Sequence, residues 1–542
     1  MKQIYFNGKI ITMNAKNVND EKRNEPEAVF VQDGVITQIG RLADLEKMAG
    51  DDIVMIDLKG KCLMPAFIDS HSHFVMTGQM SACADLSTCE SFDDIVKKLK
   101  EYIINNSLDK HGAVLGFGYD HNFLKENSQP DRRVLDMVSV EIPIFILHIS
   151  GHLGCANSVA LKLANIDEHS TNPEGGFIGR IDNSNEPDGY LEESGMNKVQ
   201  AAILPRLNFY MMSIMQKMQD IYIENGITTV QDGASTSSNF DILMKMSESG
   251  CLKLDVVSYP LMSSNGVELM KKYGDSYMDY KKHLKIGGYK LVLDGSPQGR
   301  SAWLSKPYLG DETEYCGYPW MQGETVYGYI KKALEENKQV LAHCNGDAAS
   351  EQFLNAYKMA KRETKNDKDL RPVMIHCQTV RNDQLDRMAE LKMIASIFVG
   401  HVWYWGDVHI KNLGEERGNH ISPAKDALDR GVLINFHQDT PVTKPYMMHS
   451  VWCAVNRISR TGKLIGTDQA IDVYEALKAI TINAAYEYFE ETSKGSIAVG
   501  KKADFVILDK SPLEIDKMEI KNIKVLETIK EGEILTTGRI PQ

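Results

Sequence analysis

The middle of the chain alternates short apolar runs with helical stretches, and this alternation limits its possible folds more than any other feature. Helical patterns at 326–337, 348–361 and 382–391 lie between such runs. The alternation predicts parallel strands joined by crossover helices, hence an α/β fold. Eight units predict a (β/α)₈ TIM-type barrel, and a doubly wound open sheet is the alternative. The eight runs are 62–69, 227–231, 254–259, 286–294, 339–343, 372–376, 393–398 and 432–436.

The patterns at the two ends of the chain predict strands of one small β domain. Asn7-Gly8 and Asp33-Gly34 each lie between β-rich runs, which is the strongest short signal of a hairpin. Near the other end, 503–508 and 525–534 are also β-rich. We expect 1–60 and 495–542 to form a small β-sandwich domain, and 61–494 to form the barrel.

A long segment separates the first two apolar runs. Residues 85–200 contain β-rich runs of their own at 113–117 and 142–147, and a loop rich in Gly, Asn and Pro at 171–189. This composition predicts an inserted subdomain after the first barrel strand. In a barrel, such an insertion emerges from the catalytic face.

Charge and cysteine usage exclude several classes of protein. Among 542 residues, 61 are Lys or Arg and 74 are Asp or Glu, so the net charge of −13 argues against a nucleic-acid partner. The sequence has no secretory signal pattern at its start and no apolar run of about 18 residues, so we expect no membrane association. Nine scattered cysteines without a CxxC pair favour reduced thiols and a cytoplasmic location.

Metal-ligating residue types recur where the predicted strands end. His71 and His73 alternate along the end of the first run, so their side chains point the same way. A chance His-x-His on a surface or in a core is the alternative. The remaining candidates lie in or after later runs of the same barrel and are Lys290, His343, His376 and Asp439. Because parallel barrel strands present their carboxyl ends at one mouth, the spacing predicts a metal site there.

Five segments carry a resemblance to a known family. The sequence resembles the amidohydrolase superfamily, and more narrowly its YtcJ-like branch, which includes N-substituted formamide deformylases. The resemblance covers nearly the whole chain. The segments are Met64-Pro65-Ala66-Phe67-Ile68-Asp69-Ser70-His71-Ser72-His73, Ser150-Gly151-His152, Asp294-Gly295-Ser296-Pro297-Gln298-Gly299-Arg300, His343-Cys344-Asn345-Gly346-Asp347 and the stretch 495–504.

The resemblance implies a centre of one or two divalent ions, commonly zinc. His71 and His73 would hold the more buried ion, and His343 and His376 the second. Lys290 matches the lysine that reacts with carbon dioxide to give a bridging carbamate, since a free ammonium has no lone pair for a metal. The alternative is an unmodified, ion-paired Lys290.

The function implied is hydrolysis of a non-peptide C–N bond, in an amide or formamide, by attack of a metal-bound hydroxide. Asp439 would bind the first ion and handle the proton, and we expect Asp439 and His376 to be the catalytic residues. A heterocyclic deaminase of the same superfamily is the alternative. A catalytically inactive binding or assembly protein fits less well, because every expected ligand type is present.

We expect the substrate to be a small molecule, and the residues that contact it are less clearly indicated by the sequence. His152 could polarise its carbonyl or be a loop histidine, and Arg300 could pair with an anionic group or form a structural ion pair. Aromatic residues could line an apolar pocket or pack a loop against a partner subunit. His437 could orient a ligand or serve packing. Asp232-Gly233-Ala234 and Asp294-Gly295-Ser296 are expected to be short structural turns at strand ends. The candidate substrate contacts are His152, Arg300, Trp303, His401 and Trp403. A homodimer is compatible with a barrel of this size.

Overall fold

The computed structural model describes residues 1–50, 52–81, 83–207, 211–274, 277–310 and 313–537. Its strands are β1 (Lys2–Phe6), β2 (Lys9–Ile10), β3 (Ala28–Gln32), β4 (Val35–Gly40), β5 (Val54–Asp57), β6 (Cys62–Pro65), β7 (Phe67–Ile68), β8 (Ala84–Asp85), β9 (Val114–Tyr119), β10 (Ile144–His148), β11 (Leu153–Ala156), β12 (Gly176–Arg180), β13 (Pro187–Glu193), β14 (Ile227–Ser235), β15 (Asp255–Pro260), β16 (Leu284–Ile286), β17 (Tyr289–Val292), β18 (Val340–Cys344), β19 (Val373–His376), β20 (Ile394–Ile397), β21 (Ile434–Phe436), β22 (Phe505–Leu508), β23 (Val525–Lys530) and β24 (Glu533–Thr537).

Its α-helices are α1 (Val18–Arg23), α2 (Leu42–Ala49), α3 (Phe74–Ser81), α4 (Phe92–Asn105), α5 (Arg132–Asp136), α6 (Ser158–Leu163), α7 (Asn197–Ile203), α8 (Met211–Ile223), α9 (Ser237–Glu248), α10 (Gly266–Tyr273), α11 (Gly323–Glu335), α12 (Asp347–Thr364), α13 (Asn382–Glu390), α14 (His401–Asn419), α15 (Ala424–Asp429), α16 (Met447–Asn456), α17 (Val473–Ala479) and α18 (Ile482–Glu487).

The strands predicted for the middle of the chain form two parallel sheets. One has the order β16-β15-β14-β7 and the other the order β17-β18-β19-β20-β21. The two sheets meet where Met262 N donates to Lys290 O at 3.0 Å, and their far ends meet where Asp439 N donates to His71 O at 3.2 Å. Helices lie between most successive strands of these two sheets, although none lies between β16 and β17, so the mixed α/β content agrees with the prediction. The carboxyl ends of β7, β19 and β21 are thereby brought to one place.

Two of the eight predicted runs are divided in the structure. The run 62–69 was predicted as one barrel strand, but β6 pairs with β2 and β22 in a terminal sheet, and only β7 pairs with β14. The run 286–294 is interrupted between β16 and β17 by two glycines. A Cβ on Gly287 would lie 2.5 Å from Cζ of Tyr259, so glycine permits the close approach at this break.

The chain termini build two neighbouring sheets. Their strand orders are β4-β3-β1-β5 and β2-β6-β22-β23-β24. Side chains from both sheets share one buried hydrophobic cluster, in which the rings of Tyr5 and Phe505 lie 5.3 Å apart. The pairing of early with late strands agrees with the prediction that both termini belong to one β unit, while the exact domain bounds remain a prediction.

The long segment after β7 forms a sheet of its own, with the order β12-β13-β11-β10-β9-β8. Its strands run from Ala84 to Glu193, close to the predicted insertion. The insertion is attached to the parallel-strand region by Trp405 of α14, whose Nε1 donates to Asp120 Oδ2 at 2.8 Å.

All nine cysteines are free thiols in the structure, as their scattered positions predicted. Within the described ranges, no helix combines the length and the apolar character that crossing a membrane requires.

Candidate metal centre

Three predicted ligands converge where parallel strands end. His71 follows β7, His376 ends β19 and Asp439 follows β21, and one ligand atom from each lies within 4.8 Å of the others. Asp439 Oδ1 is 3.4 Å from His71 Nε2 and 3.2 Å from His73 Nε2. Since the carboxyl ends of parallel strands share one edge, distant parts of the sequence build one cluster.

Lys290 and His343, the predicted ligands not yet described, border this cluster. Lys290 Nζ lies 3.3 Å from His71 Nε2, and its side chain is buried. The ring centroid of His343 is 4.4 Å from that of His376. The structure therefore brings all six predicted ligand residues together.

The protonation states of the cluster suit a cation. Burial, reinforced by nearby Lys290 or histidines, lowers the pKa values of His71, His343 and His376 well below the usual range. Neutral imidazoles keep a lone pair for a metal. Burial alone would raise the pKa of Asp439, but His73 reverses this and holds that pKa below its ordinary value. Asp439 Oδ1 is buried without a hydrogen-bond partner among the described residues, as expected for an oxygen that awaits an ion.

Lys290 is placed where its amine can lose its proton. Burial lowers the pKa of Lys290 to about 8, although the carboxylate of Asp439 opposes the change. A substantial fraction of this amine is therefore neutral near pH 8, and only the neutral amine has the lone pair that attacks carbon dioxide.

Each buried imidazole ligand uses its Nδ1 to contact a further polar side chain. His71 Nδ1 lies 2.5 Å from Gln231 Oε1, and His343 Nδ1 lies 3.2 Å from Asp294 Oδ1. His376 Nδ1 lies 3.1 Å from His437 Nε2, so His437 contacts a predicted ligand directly. The alternative of pure packing for His437 is thereby disfavoured.

Sequence reasoning missed Gln231 and Asp294. Asp294-Gly295-Ser296 was interpreted as a structural turn, whereas Asp294 also accepts hydrogen bonds from the backbone of Asn345, Gly346 and Trp303. Both residues end predicted apolar runs, and a polar residue at that position is the signal that could have identified them.

The segment Asp232-Gly233-Ala234 was also interpreted as a turn, and this was wrong. It lies inside β14, beside the ligand cluster. A Cβ at Gly233 would lie 2.4 Å from Cε1 of His71. The absence of a side chain at Gly233 therefore gives the imidazole its space.

Among the candidate substrate-contacting residues, the structure places His152 beside the cluster of predicted ligands. Its ring centroid is 5.4 Å from that of His343, and its Nδ1 lies 2.9 Å from Glu193 Oε2. Burial opposes protonation, but the Glu193 carboxylate outweighs it and raises the pKa of His152. The inserted subdomain thus supplies a hydrogen-bond donor beside the metal ligands.

The other four candidates are held by different neighbours. Arg300 lies over the ring of Tyr308, at 5.2 Å from its centroid. The Trp303 side chain lines a groove beside α11 and α12. His401 Nδ1 lies 3.0 Å from His409 Nε2, inside α14.

Trp403 packs edge-on against Trp452 and lines a cavity of about 810 Å³ between the insertion and the loop after Asp439. The same cavity is lined by Phe117, Phe123 and Val442. Its lining combines these apolar side chains with the charged residues Asp85, Glu90, Lys444 and Arg460. Val442 follows the predicted ligand Asp439 by three residues in the sequence.

Comparison with known proteins agrees with this geometry. A model of the amidohydrolase family matches residues 54–536. The chain is 28% identical to YtcJ of Bacillus subtilis over 99% of both chains, and 27% identical to the N-substituted formamide deformylase of Arthrobacter pascens over 96% of this chain and 97% of that one. The fold is similar to the crystal structure of an uncharacterized metal-dependent hydrolase from Pyrococcus horikoshii, with a TM-score of 0.75 at 25% identity, over 95% of this chain and 99% of that one.

Proposed function

Because the chain belongs to the amidohydrolase family, we propose that it is a metal-dependent hydrolase that cleaves a non-peptide C–N bond in an amide or a formamide. The observation that carries this proposal is the convergence of His71, His376 and Asp439, whose ligand atoms lie within 4.8 Å of one another, with the buried Asp439 Oδ1 also in contact with His73. The similarity to a formamide deformylase over nearly the full length supports the choice of bond.

The predicted ligands would hold one or two divalent ions, most readily zinc. His71, His73 and Asp439 would hold the first, and His343 and His376 the second, with Lys290 bridging them as its carbamate. A bound ion of this kind lowers the pKa of a water molecule from about 15.7 to about 7 and polarises the substrate carbonyl.

Asp439 would take the proton of the attacking water and pass it to the leaving nitrogen. Its free Oδ1 and its lowered pKa keep it an acceptor at neutral pH. His152, held protonated by Glu193, would donate to the carbonyl oxygen as negative charge develops there. The cavity beside Trp403 would receive an apolar substituent of the amide.

Metal content tests the centre directly. Protein purified without chelator or added metal is expected to carry one to two equivalents of zinc or a similar ion by plasma mass spectrometry. About two equivalents support the bridged site, and about one supports a mononuclear site with an unmodified Lys290. His71→Asn should lose most of the metal, because it removes a buried ligand. The control His169→Asn changes a side chain that is 85% exposed and should keep the wild-type content.

Turnover tests the bond. A panel of N-formyl and N-acyl amines should yield free amine and carboxylate, with activity lost on chelation and restored by zinc. Ammonia released from purines or pyrimidines, with no amide cleaved, would instead favour the deaminase. A protein that binds no metal, even with added zinc and bicarbonate, would contradict the proposal. The homodimer, the absence of a nucleic-acid partner and the closed eight-stranded barrel remain predictions.

A further inference from the structure

A buried carboxylate beneath the candidate metal centre is connected to two of its imidazoles. We propose that Glu487 is a positioning residue that fixes His71 and His376 in the tautomer with a protonated Nδ1, so that both present Nε2 to the metal. This inference rests on the proposed metal centre. Glu487 ends α18 and is completely buried.

A short connection runs from His71 through one side chain. His71 Nδ1 lies 2.5 Å from Gln231 Oε1, and Gln231 Nε2 donates to Glu487 Oε1 at 3.3 Å. Gln231 Nε2 also donates to the carbonyl oxygen of Ser70 at 2.8 Å. Because two acceptors surround the amide nitrogen, the amide oxygen must face His71, and the hydrogen between them belongs to His71 Nδ1.

A longer connection runs from His376 through four buried side chains. His376 Nδ1 is 3.1 Å from His437 Nε2, and His437 Nδ1 is 2.9 Å from Ser396 Oγ. Ser396 Oγ is 3.3 Å from Ser70 Oγ, which donates to Asn435 Oδ1 at 2.8 Å. Asn435 Nδ2 then donates to Glu487 Oε2 at 2.6 Å. Ser70 Oγ also lies 3.1 Å from the carbonyl oxygen of Phe436. We assign the arrangement in which each group of the connection donates toward Glu487.

Both connections therefore end on the same carboxylate, one on each oxygen. Each oxygen faces an N–H donor, and this arrangement stabilises the charged form. Burial raises the pKa of Glu487 to about 8, while Asn435, Lys290 and Gln231 oppose that increase, so both oxygens act as acceptors above about pH 8, where the tautomers are to be measured. The carboxylate fixes the direction of every hydrogen bond between it and the two imidazoles. It leaves the Nε2 lone pair of His71 toward Asp439, 3.4 Å away.

Replacing Glu487 by glutamine keeps the size of the side chain and removes its ability to accept on both oxygens. The amide nitrogen of the new residue would face an N–H donor in one connection and reverse or break it. Partners that orient metal-bound histidines typically change metal affinity by about 10–100-fold, and we expect Glu487→Gln to raise the zinc dissociation constant by such a factor. The variants Gln231→Met and Ser396→Ala each cut one connection and should produce smaller increases.

The matched control is Glu490→Gln, three residues along the chain. Glu490 is also a buried carboxylate, but it pairs with Lys285 and Lys494 at the other end of the strands. A general effect of losing a buried charge would weaken folding in both variants. Only the loss of ligand positioning should change the zinc dissociation constant, so we expect Glu490→Gln to keep the wild-type constant.

Two measurements decide the inference. The first is the zinc dissociation constant of each variant by competition with a chromophoric chelator. The second is ¹⁵N chemical shifts of labelled histidine in the zinc-free protein, which report the tautomer independently of metal. We expect wild-type protein to show Nδ1-protonated signals for His71 and His376, and Glu487→Gln to show mixed tautomers.

Unchanged zinc affinity and unchanged tautomers in Glu487→Gln would overturn the inference. If Glu487→Gln does not fold, Ser396→Ala decides the longer connection through the tautomer of His376, since Ser396 Oγ contacts His437 and Ser70 rather than His376 itself. A wild-type protein that binds no zinc would overturn the proposed metal centre instead, and the tautomer measurement would still decide the role of Glu487.

Discussion

Asp439→Asn is expected to lower kcat/KM for the best amide substrate by about 10²–10⁴-fold, the range that general acid–base groups contribute. Asparagine keeps the shape of the side chain and one oxygen for a metal, but it cannot accept and return a proton at neutral pH. Asp439 Oδ1 is the buried oxygen that contacts both His71 and His73.

Measuring metal content together with turnover separates loss of proton transfer from loss of the metal. Metal content at saturating zinc should stay near that of wild type, because the histidine ligands remain. Asp407→Asn is the control, since Asp407 lies in α14 and pairs with Thr461 and Lys463. Near-wild-type turnover in Asp439→Asn would contradict the assignment. Loss of both metal and turnover would show that Asp439 acts as a ligand and would leave its proton role unsupported.

Much of the candidate site could be predicted from the sequence, because its chemistry is carried by residues at strand ends. His71, His343 and His376 each terminate a short apolar run, and that local pattern is visible without knowing which strands are neighbours. The prediction of the amidohydrolase family is confirmed by the match over 54–536. The alternation of short apolar runs with helical stretches likewise predicted the parallel sheets.

The remaining features depend on pairing between distant segments. The run 62–69 is apolar up to Ile68, and Pro65 marks the end of β6, but neither feature reveals that β6 joins the terminal sheet and β7 joins β14. Glu487 contacts Gln231 and Asn435, which are 256 and 52 residues away in the sequence. No spacing rule connects such residues. Arg300 and Trp303 were chosen for following a predicted strand, and contacts in the loop after β17 decide where their side chains lie.

A buried ion network at the opposite end of the parallel strands gives the largest expected effect on stability. Asp255 begins β15, and its Oδ2 contacts the side chains of Lys494 and Lys530. Lys530, the last residue of β23, has its Nζ 2.7 Å from this oxygen. Its Oδ1 lies 2.7 Å from His283 Nδ1. Asp255 and both lysines are at most 4% exposed. Asp255 thus shares the charge of Lys494 with Glu490, which lies 2.8 Å from it, and links Lys530 of a terminal sheet to the parallel sheets.

Asp255→Asn is expected to lower the free energy of unfolding by about 3–5 kcal/mol, because it leaves buried lysines without their main counter-charge. Burial opposes ionisation of Asp255, yet Lys494 and Lys530 hold its pKa well below the ordinary value. A carboxyl group with a depressed folded-state pKa contributes its stability above the unfolded-state pKa of about 3.9 and loses it as the pH falls through the folded-state value. The difference between wild type and variant should therefore be constant from about pH 5 to 8 and shrink in stronger acid.

Denaturant unfolding at several pH values measures this difference, with Asp220→Asn as control. Asp220 also pairs with a lysine, at 3.2 Å, but its side chain is 45% exposed, so its loss should cost at most about 1 kcal/mol. Equal effects of the two substitutions would mean that water reaches the Asp255 network. A difference that shrank already near neutral pH would mean that Lys494 and Lys530 do not hold Asp255 ionised. The expected contrast follows from the burial of Asp255 and from its two lysine partners, since Asp220 pairs with a single lysine at an exposed position.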